Sequence, residues 1–436
     1  MVLEKVVKDQ MEHFFESNNL FGTYQFGFRQ GKSTVSELLQ LFDSIMEAKD
    51  CRREIILLMY DLSAAFDTVS HKTLLEKLKI YGFDSDAILW MQSYLEGRKQ
   101  LVNIQGHSSS TQEIPMGTPQ GSRLSPLIFI CLMADLDLWT NESILSQYAD
   151  DTQSLCIAEN RENVIEMTRR EASNIIKFFS ANDLVNNADK TCVLYNTKGK
   201  GEVLTIENVG GEKLTSLREN ESEKLLGIQV SSDFTWNLHV DQLITELNKR
   251  IGLMRRIRNR IPRRKLIMMA ETFFNSKIRY GIALYLNPVF ESEDVKARFL
   301  STEARKLQTI QNNMLRMIFE YKPQDMINME KLREDIGMFS VNQMNCYHVL
   351  LEAFNVIHLG SSAKLQEKWK PKERVYSNRR KMDVIVPRVD HTRCKGFSWF
   401  GAKMWNSLPE DIKIIENPET FKLKIKQHVW DNIPSY

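Results

Sequence analysis

No stretch of the sequence approaches the ~20 consecutive apolar residues needed to cross a bilayer. The first sixteen residues carry charge in every turn, so neither a membrane span nor a secretory leader is expected. Cysteine is scarce, 6 in 436 residues, and Cys51, Cys131, Cys156, Cys192, Cys346 and Cys394 form no CxxC pair. That argues against a disulfide framework and a zinc ribbon, and it fits a reducing, intracellular compartment. Cys346, His348, His391 and Cys394 lack the CCHC spacing, so no zinc is expected. Glycine and proline number only 19 and 11, which excludes collagen-like and low-complexity classes. Charge of one sign is lacking too: 58 basic against 56 acidic residues leave +2, so a nucleic-acid partner has to be argued from local patches.

What is present is an ordinary globular balance, 42% hydrophobic and 26% charged, in a chain long enough for two or three domains. Val35, Leu38, Leu39, Phe42, Ile45 and Met46 recur at helical spacing, and Ile55 to Tyr60 is an apolar run that reads as a buried strand. That strand ends in Asp61, and a helix carrying Leu74, Leu75 and Leu78 follows Ser70-His71. Ser85 is expected to cap a helix, and Gln100 to Ile104 reads as a short strand. Ser125-Pro126 opens a helix running to Leu136. Leu145 to Tyr148 and Thr152 to Ile157 flank Ala149-Asp150-Asp151, which puts two acids at a hairpin tip. An amphipathic helix from Val164 to Phe179 precedes short strands at Thr191–Tyr195, Val203–Ile206 and Leu225–Val230, with Gly210-Gly211 as a turn. Beyond about Leu238 long helices take over, and Lys368 to Lys381 reads as a basic linker. A small module with an aromatic core, including Phe397, Trp399, Phe400 and Trp405, closes the chain.

Asp61 and Asp150-Asp151 each stand at the end of an expected strand, and adjacent strands bring such residues together. Three hard carboxylate donors with no nearby His or Cys suit Mg²⁺, and two such ions about 4 Å apart can activate an attacking oxygen and stabilise a leaving one. An Asp-Asp turn alone is weak support, because Asp is a common turn residue. Gly31-Lys32-Ser33 ends like a phosphate-binding P-loop, but that pattern requires Gly where Phe26 stands, which rules out an NTPase of this type.

The surrounding wording carries a resemblance. Tyr60-Asp61-Leu62-Ser63-Ala64-Ala65-Phe66-Asp67, Pro119-Gln120-Gly121-Ser122, Tyr148-Ala149-Asp150-Asp151, Asn187-Ala188-Asp189-Lys190 and Leu225-Leu226-Gly227 resemble motifs A to E of reverse transcriptases, in order. Phe26-Gly27-Phe28-Arg29 and Ser93-Tyr94-Leu95 with Arg98 are similar to the LINE-type, non-LTR retrotransposon branch of the jockey and chicken-repeat kind.

The resemblance implies an α+β fold: a right-hand polymerase palm and fingers over 1–235, a helical thumb over 236–362, and a basic linker with a small, mostly helical C-terminal module over 363–436. It implies an RNA-directed DNA polymerase that joins deoxynucleoside triphosphates to a DNA primer on an RNA template, with two Mg²⁺ ions. Asp61 and Asp150 would hold both ions, the Leu62 carbonyl would add a ligand and Asp151 would support the second site. Phe66 would be the gate against a 2′-hydroxyl, and a bulky ring is physically adequate for that. Gln120, Gly121, Lys190 and Arg29 would meet nucleotide or template, while Leu226-Gly227 would grip the primer.

Arg255, Arg256, Arg258, Arg260, Arg263 and Arg264 form a basic stripe where thumb helices would track phosphates. Lys368 to Lys381, with Trp369 and Tyr376, is a second candidate for single-strand stacking. Leu3 to Val7 resembles the end of the first family motif, so the fingers are expected to be incomplete. The endonuclease of relatives is expected from elsewhere, and nuclear access is expected if the chain serves retrotransposition. The competing expectation is an inactive element remnant that only binds RNA or DNA, and the oligomeric state is not readable.

Overall fold

The computed structural model describes residues 2–196, 204–207, 213–219, 221–289, 301–371, 382–391 and 396–435. The chain divides into two compact units, Met1–Glu37 with Arg52–Glu221, and Leu38–Cys51 with Ser222–Tyr436. Gly210-Gly211, Val203, Tyr376, Cys394 and most of the basic stretch to Lys381 lie outside the described residues.

The first unit is built on a six-stranded sheet. Its strands run in the order Ile144–Tyr148, Asp151–Ala158, Glu54–Tyr60, Cys192–Tyr195, Lys213–Glu219 and Leu204–Glu207. All neighbours are antiparallel except Lys213–Glu219, which joins Cys192–Tyr195 in parallel. Glu54–Tyr60 lies centrally, and every residue from Ile55 to Tyr60 is buried, as an unbroken apolar run demands of a strand covered on both faces. Helix Arg161–Ala181 packs on it and on Asp151–Ala158, with the Phe179 ring 5.9 Å from Tyr60 in an edge-to-face pair. Helix Ser125–Leu132 is buried at every position but Pro126, which matches its apolar run from Leu127 to Leu132.

Several local expectations need correction. Helix Ser85–Leu95 is capped by Asp84, whose side chain accepts from the Ala87 amide, not by Ser85. The helix from Ser125 stops at Leu132, and a 3₁₀ turn at Leu136–Trp139 follows. Gln100–Ile104 is not one strand: Lys99–Gln100 and Asn103–Ile104 belong to two separate two-residue ladders. Leu225–Val230 is likewise not one strand but a hairpin, Ser222–Leu225 against Ile228–Ser231.

The second unit holds that hairpin and a series of helices, among them Asn237–Ile257, Thr302–Phe319, Val341–Leu359, Phe397–Ser407 and Pro418–Asn432. Ser340 and Gln343 form a reciprocal capping box at the start of Val341–Leu359. Phe354 stacks on Phe421 at 4.3 Å, and the fully buried Trp405 lies 5.9 Å from Phe421. Of the aromatics expected to form a core near the C-terminus, Trp405 packs with Phe421, which in turn stacks on Phe354 of Val341–Leu359, while Trp399 and Phe400 are half-buried. Among the described residues no helix is long and apolar enough to cross a membrane.

Candidate active site

Strand register brings the acids together. Tyr60 pairs with Thr152 in the antiparallel ladder, so one step further along the two strands Asp61 comes beside Asp151. Tyr148 pairs with Asp151, which leaves Ala149 and Asp150 as a two-residue hairpin turn. Ala149 has φ +60°, a left-handed conformation that disfavours any side chain, at a cost of about 1–2 kcal/mol.

The acids are electrostatically crowded. Burial, and after it the charge of Asp61, raises Asp150 above the usual carboxylate range. Asp151 is exposed at the start of its strand, yet the protein around it partly desolvates its carboxylate. That desolvation and the charges of Asp150 and Asp61 push it up to about 6. The counter-charge is weak: Lys190 Nζ lies 3.6 Å from Asp61 Oδ2 and its side chain is 69% exposed. Asp61 is held by its backbone, since its carbonyl accepts from the Asn187 amide at 2.7 Å, and neighbouring Leu62 is buried in a bridge with Asn186.

Phe66 is half-buried, between Phe129 at 4.8 Å and Phe28 at 6.4 Å. The backbone around Gln120 is tied to the same loop. The amides of Thr118 and Gly117 donate to the carbonyls of Phe66 and Val69, each at 2.8 Å, and Gln120 Nε2 donates to Asp67 Oδ1 at 3.0 Å. Gly117 has φ +85°, and a Cβ there would lie 2.6 Å from the Asp67 carbonyl oxygen, so this approach requires glycine. Gly121 has φ +84° but no atom near its Cβ position, so conformation rather than space selects it.

Arg29 is engaged elsewhere. Its Nε and Nη2 donate to the Glu16 carboxylate at 2.7 and 2.6 Å, and Nη1 donates to the carbonyls of Gly22 and Gln25. Its side chain is 10% exposed, so the expectation that it meets substrate gives way to a structural role, fastening its loop to helix Val2–Ser17.

In the second unit Leu226 and Gly227 are the hairpin turn, at φ +44° and +86°. The Tyr280 hydroxyl donates to the Leu226 carbonyl, and a Cβ on Gly227 would come 3.2 Å from the Tyr280 ring. Arg255, Arg256, Arg260, Arg263 and Arg264 are exposed and Arg258 is partly so. Among the described residues no ion pair joins any of them to an acid, and the Arg263 guanidinium stands 5.1 Å from the Phe319 ring centre.

Sequence reading missed Glu37, Gln25, Gln147 and Thr152. Glu37 is fully buried, accepts from Ser146 Oγ at 2.9 Å, and is held well above the usual carboxylate range by burial. A lone acid in the first turn of a helix gives no signal of burial. The polar Gln147 and Thr152 inside alternating strand residues were the available clue to the others.

A mixed helix-and-sheet unit with a carboxylate cluster at the hairpin end of its sheet is the class of protein described so far. The family model for reverse transcriptase (RNA-dependent DNA polymerase) matches residues 2–230, and the chain belongs to that family. The chain is 31% identical over 155 residues to the probable RNA-directed DNA polymerase from transposon BS of Drosophila melanogaster, 34% of this chain and 17% of that protein. Over 331 residues it is 25% identical to the RNA-directed DNA polymerase from mobile element jockey of Drosophila funebris, 73% of this chain and 34% of that protein. These relatives bear out the resemblance to LINE-type, non-LTR elements. The chain spans about a third or less of the length of these curated relatives. A solved telomerase from Candida albicans aligns with TM-score 0.44 at 10% identity, over 83% of this chain and 53% of that one, a likeness too slight to argue from.

Members of this family work with divalent metal ions. Among the described residues no three His, Cys, Asp or Glu side chains converge as a finished metal site. The donor chemistry nevertheless fits a hard divalent cation: oxygen ligands only, with desolvation and then the neighbouring negative charges lifting Asp151 to about 6.

Proposed function

We propose that the chain is the polymerase part of a non-LTR retrotransposon protein, an RNA-directed DNA polymerase that extends a DNA primer on an RNA template. What carries the reading is the register that sets Asp61 beside Asp151, at the edge of the turn that holds Asp150, within a stretch matched by the reverse transcriptase family. Asp61, Asp150, Asp151 and the Leu62 carbonyl would hold two Mg²⁺ ions, which when bound would lower the cost of charge developing on the attacking and leaving oxygens. The chain's own part is positioning. The Phe66 ring, braced by Phe129, would lie under the sugar and exclude a 2′-hydroxyl. Lys190, close to Asp61 and largely solvated, is free to turn toward the departing pyrophosphate. Gln120 and Gly121 would border the template and the incoming nucleotide, and the Leu226-Gly227 turn would support the primer end.

Residues 1–235 would form fingers and palm, 236–362 a thumb whose exposed arginines follow duplex phosphates, and 363–436 a C-terminal module. Nuclear access would be required for retrotransposition.

The test is primer extension by the purified chain on an RNA template with Mg²⁺, with Asp61→Ala as control. Deoxynucleotide incorporation that vanishes in the control supports the polymerase. Its absence from a folded chain that still binds template-primer would leave a nucleic-acid-binding remnant instead. In the same assay Phe66→Ala should admit ribonucleotides, and unchanged sugar selection would reduce Phe66 to a core residue.

A further inference from the structure

The left-handed Ala149 that opens the acidic turn has to be held by something, because nothing intrinsic to alanine favours that conformation. The segment Tyr24–Gly27 lies alongside the strand leading into it. Gln147 donates its amide to the Tyr24 carbonyl at 2.9 Å, and the Phe26 amide donates to the Gln147 carbonyl at 2.8 Å. Tyr24 is anchored in turn, its hydroxyl donating to the carbonyls of Met133 and Ala134 at 3.0 and 2.9 Å.

From this platform the Gln25 side chain reaches the turn. Its Oε1 accepts from the Gly27 amide at 2.8 Å and from the Ala149 amide at 3.3 Å. Its Nε2 donates to Gln147 Oε1 at 2.9 Å, Gln147 Nε2 donates to Thr152 Oγ1 at 3.0 Å, and Thr152 Oγ1 donates to the Asp150 carbonyl at 3.3 Å. The relay therefore touches the turn on both sides of its peptide units. Gln25, Gln147 and Thr152 are 2%, 0% and 0% exposed, so water does not replace a lost partner there. Gly27 closes the fit: a Cβ on it would lie 2.2 Å from the Ala149 nitrogen.

We infer that Gln25 is a positioning residue of the active site, holding the Ala149-Asp150 turn in its left-handed form through the Gln147–Thr152 relay. This rests on the function proposed above, because it is the carboxylate of Asp150 whose placement the relay governs. Geometry of this kind affects turnover more than affinity: a displacement of about 1 Å at reacting groups can cost roughly 100-fold in rate.

Two substitutions at Gln25 separate hydrogen bonding from packing. Gln25→Met keeps length and removes every hydrogen bond. Gln25→Glu, in its protonated form, keeps one acceptor for the two amides and one donor for Gln147. On the full chain, Gln25→Met should lower kcat roughly 100-fold with KM for nucleotide and primer-template affinity within about twofold, and Gln25→Glu should recover most of that loss. Residue-resolved hydrogen exchange supplies a readout independent of turnover: the Ala149 and Gly27 amides should exchange at least about tenfold faster in Gln25→Met and regain protection in Gln25→Glu.

Equal kcat in Gln25→Met, a loss carried by KM alone, or failure of Gln25→Glu to rescue would overturn the inference. Should Gln25→Met fail to fold, the isosteric Thr152→Val, which deletes the donor to the Asp150 carbonyl together with the acceptor for Gln147 Nε2, decides in its place by a smaller kcat loss of about tenfold or by none. A wild-type chain without turnover would sink the polymerase reading, and exchange would then decide the tether, with unchanged protection at Ala149 counting against it.

Discussion

Two clusters of acids in this chain are treated in opposite ways. In the second unit Asp43 is 2% exposed and meets Lys368 at 2.8 Å as well as the Ser398 amide, while Asp383 meets the buried Lys413 at 2.7 Å. In the first unit Asp61, Asp150 and Asp151 are drawn together with one solvated lysine at 3.6 Å as counter-charge. The first arrangement is what stability requires of buried charge. The second raises the energy of the folded chain, a cost that a bound cation would offset.

That contrast can be broken most forcefully at Asp150. Asp150→Asn should reduce primer extension on the order of 10³-fold while leaving duplex affinity within about twofold, because phosphate contacts are untouched. Folding stability should be unchanged or higher, since repulsion is relieved, and chemical denaturation measures it. Comparable activity in the mutant would refute the carboxylate assignment.

The opposite is expected in the second unit. Lys413→Met leaves Asp383 without its partner and should cost about 3 kcal/mol in urea unfolding, with no effect on nucleotide selection. A loss well below that would mean Asp383 escapes to solvent.

The smallest effect concerns pH. Asp151 at about 6 holds its proton more tightly in the folded chain than in the unfolded one, where its ordinary value is 3.8. Its contribution to stability is therefore full below about pH 4 and is lost as pH rises to about 6. In the absence of divalent ions, Tm should fall across that window, and Asp151→Asn should flatten the slope. An equal slope in the mutant would assign the effect to other carboxylates.

Much of the first unit was legible because its signals are local. Ile55–Tyr60 is an unbroken apolar run, Asp61 ends it, and the strands around Ala149-Asp150-Asp151 alternate enough to expose a hairpin. What escaped depends on partners far away in sequence. Arg29 read as a contact to nucleotide or template because nothing local announces Glu16, thirteen residues earlier, as its partner. Leu226-Gly227 read as strand because a leucine at φ +44° lacks the turn chemistry that Asn-Gly would have advertised. Gln25 gave no signal in the sequence, since its acceptors and donors lie 122 or more residues away, apart from Gly27.

The sheet order also bears on how the protein is made. Glu54–Tyr60 is the earliest of the six strands to emerge, yet it ends up central, between Asp151–Ala158 and Cys192–Tyr195. On a ribosome it waits for residues 61 to 150, roughly 5–20 s of synthesis, with Ile55, Ile56, Leu57 and Leu58 unburied and both edges open. Nascent chains and fragments ending before Asp151 should therefore display an adhesive apolar strand, and truncations inside that interval should give a lower soluble yield.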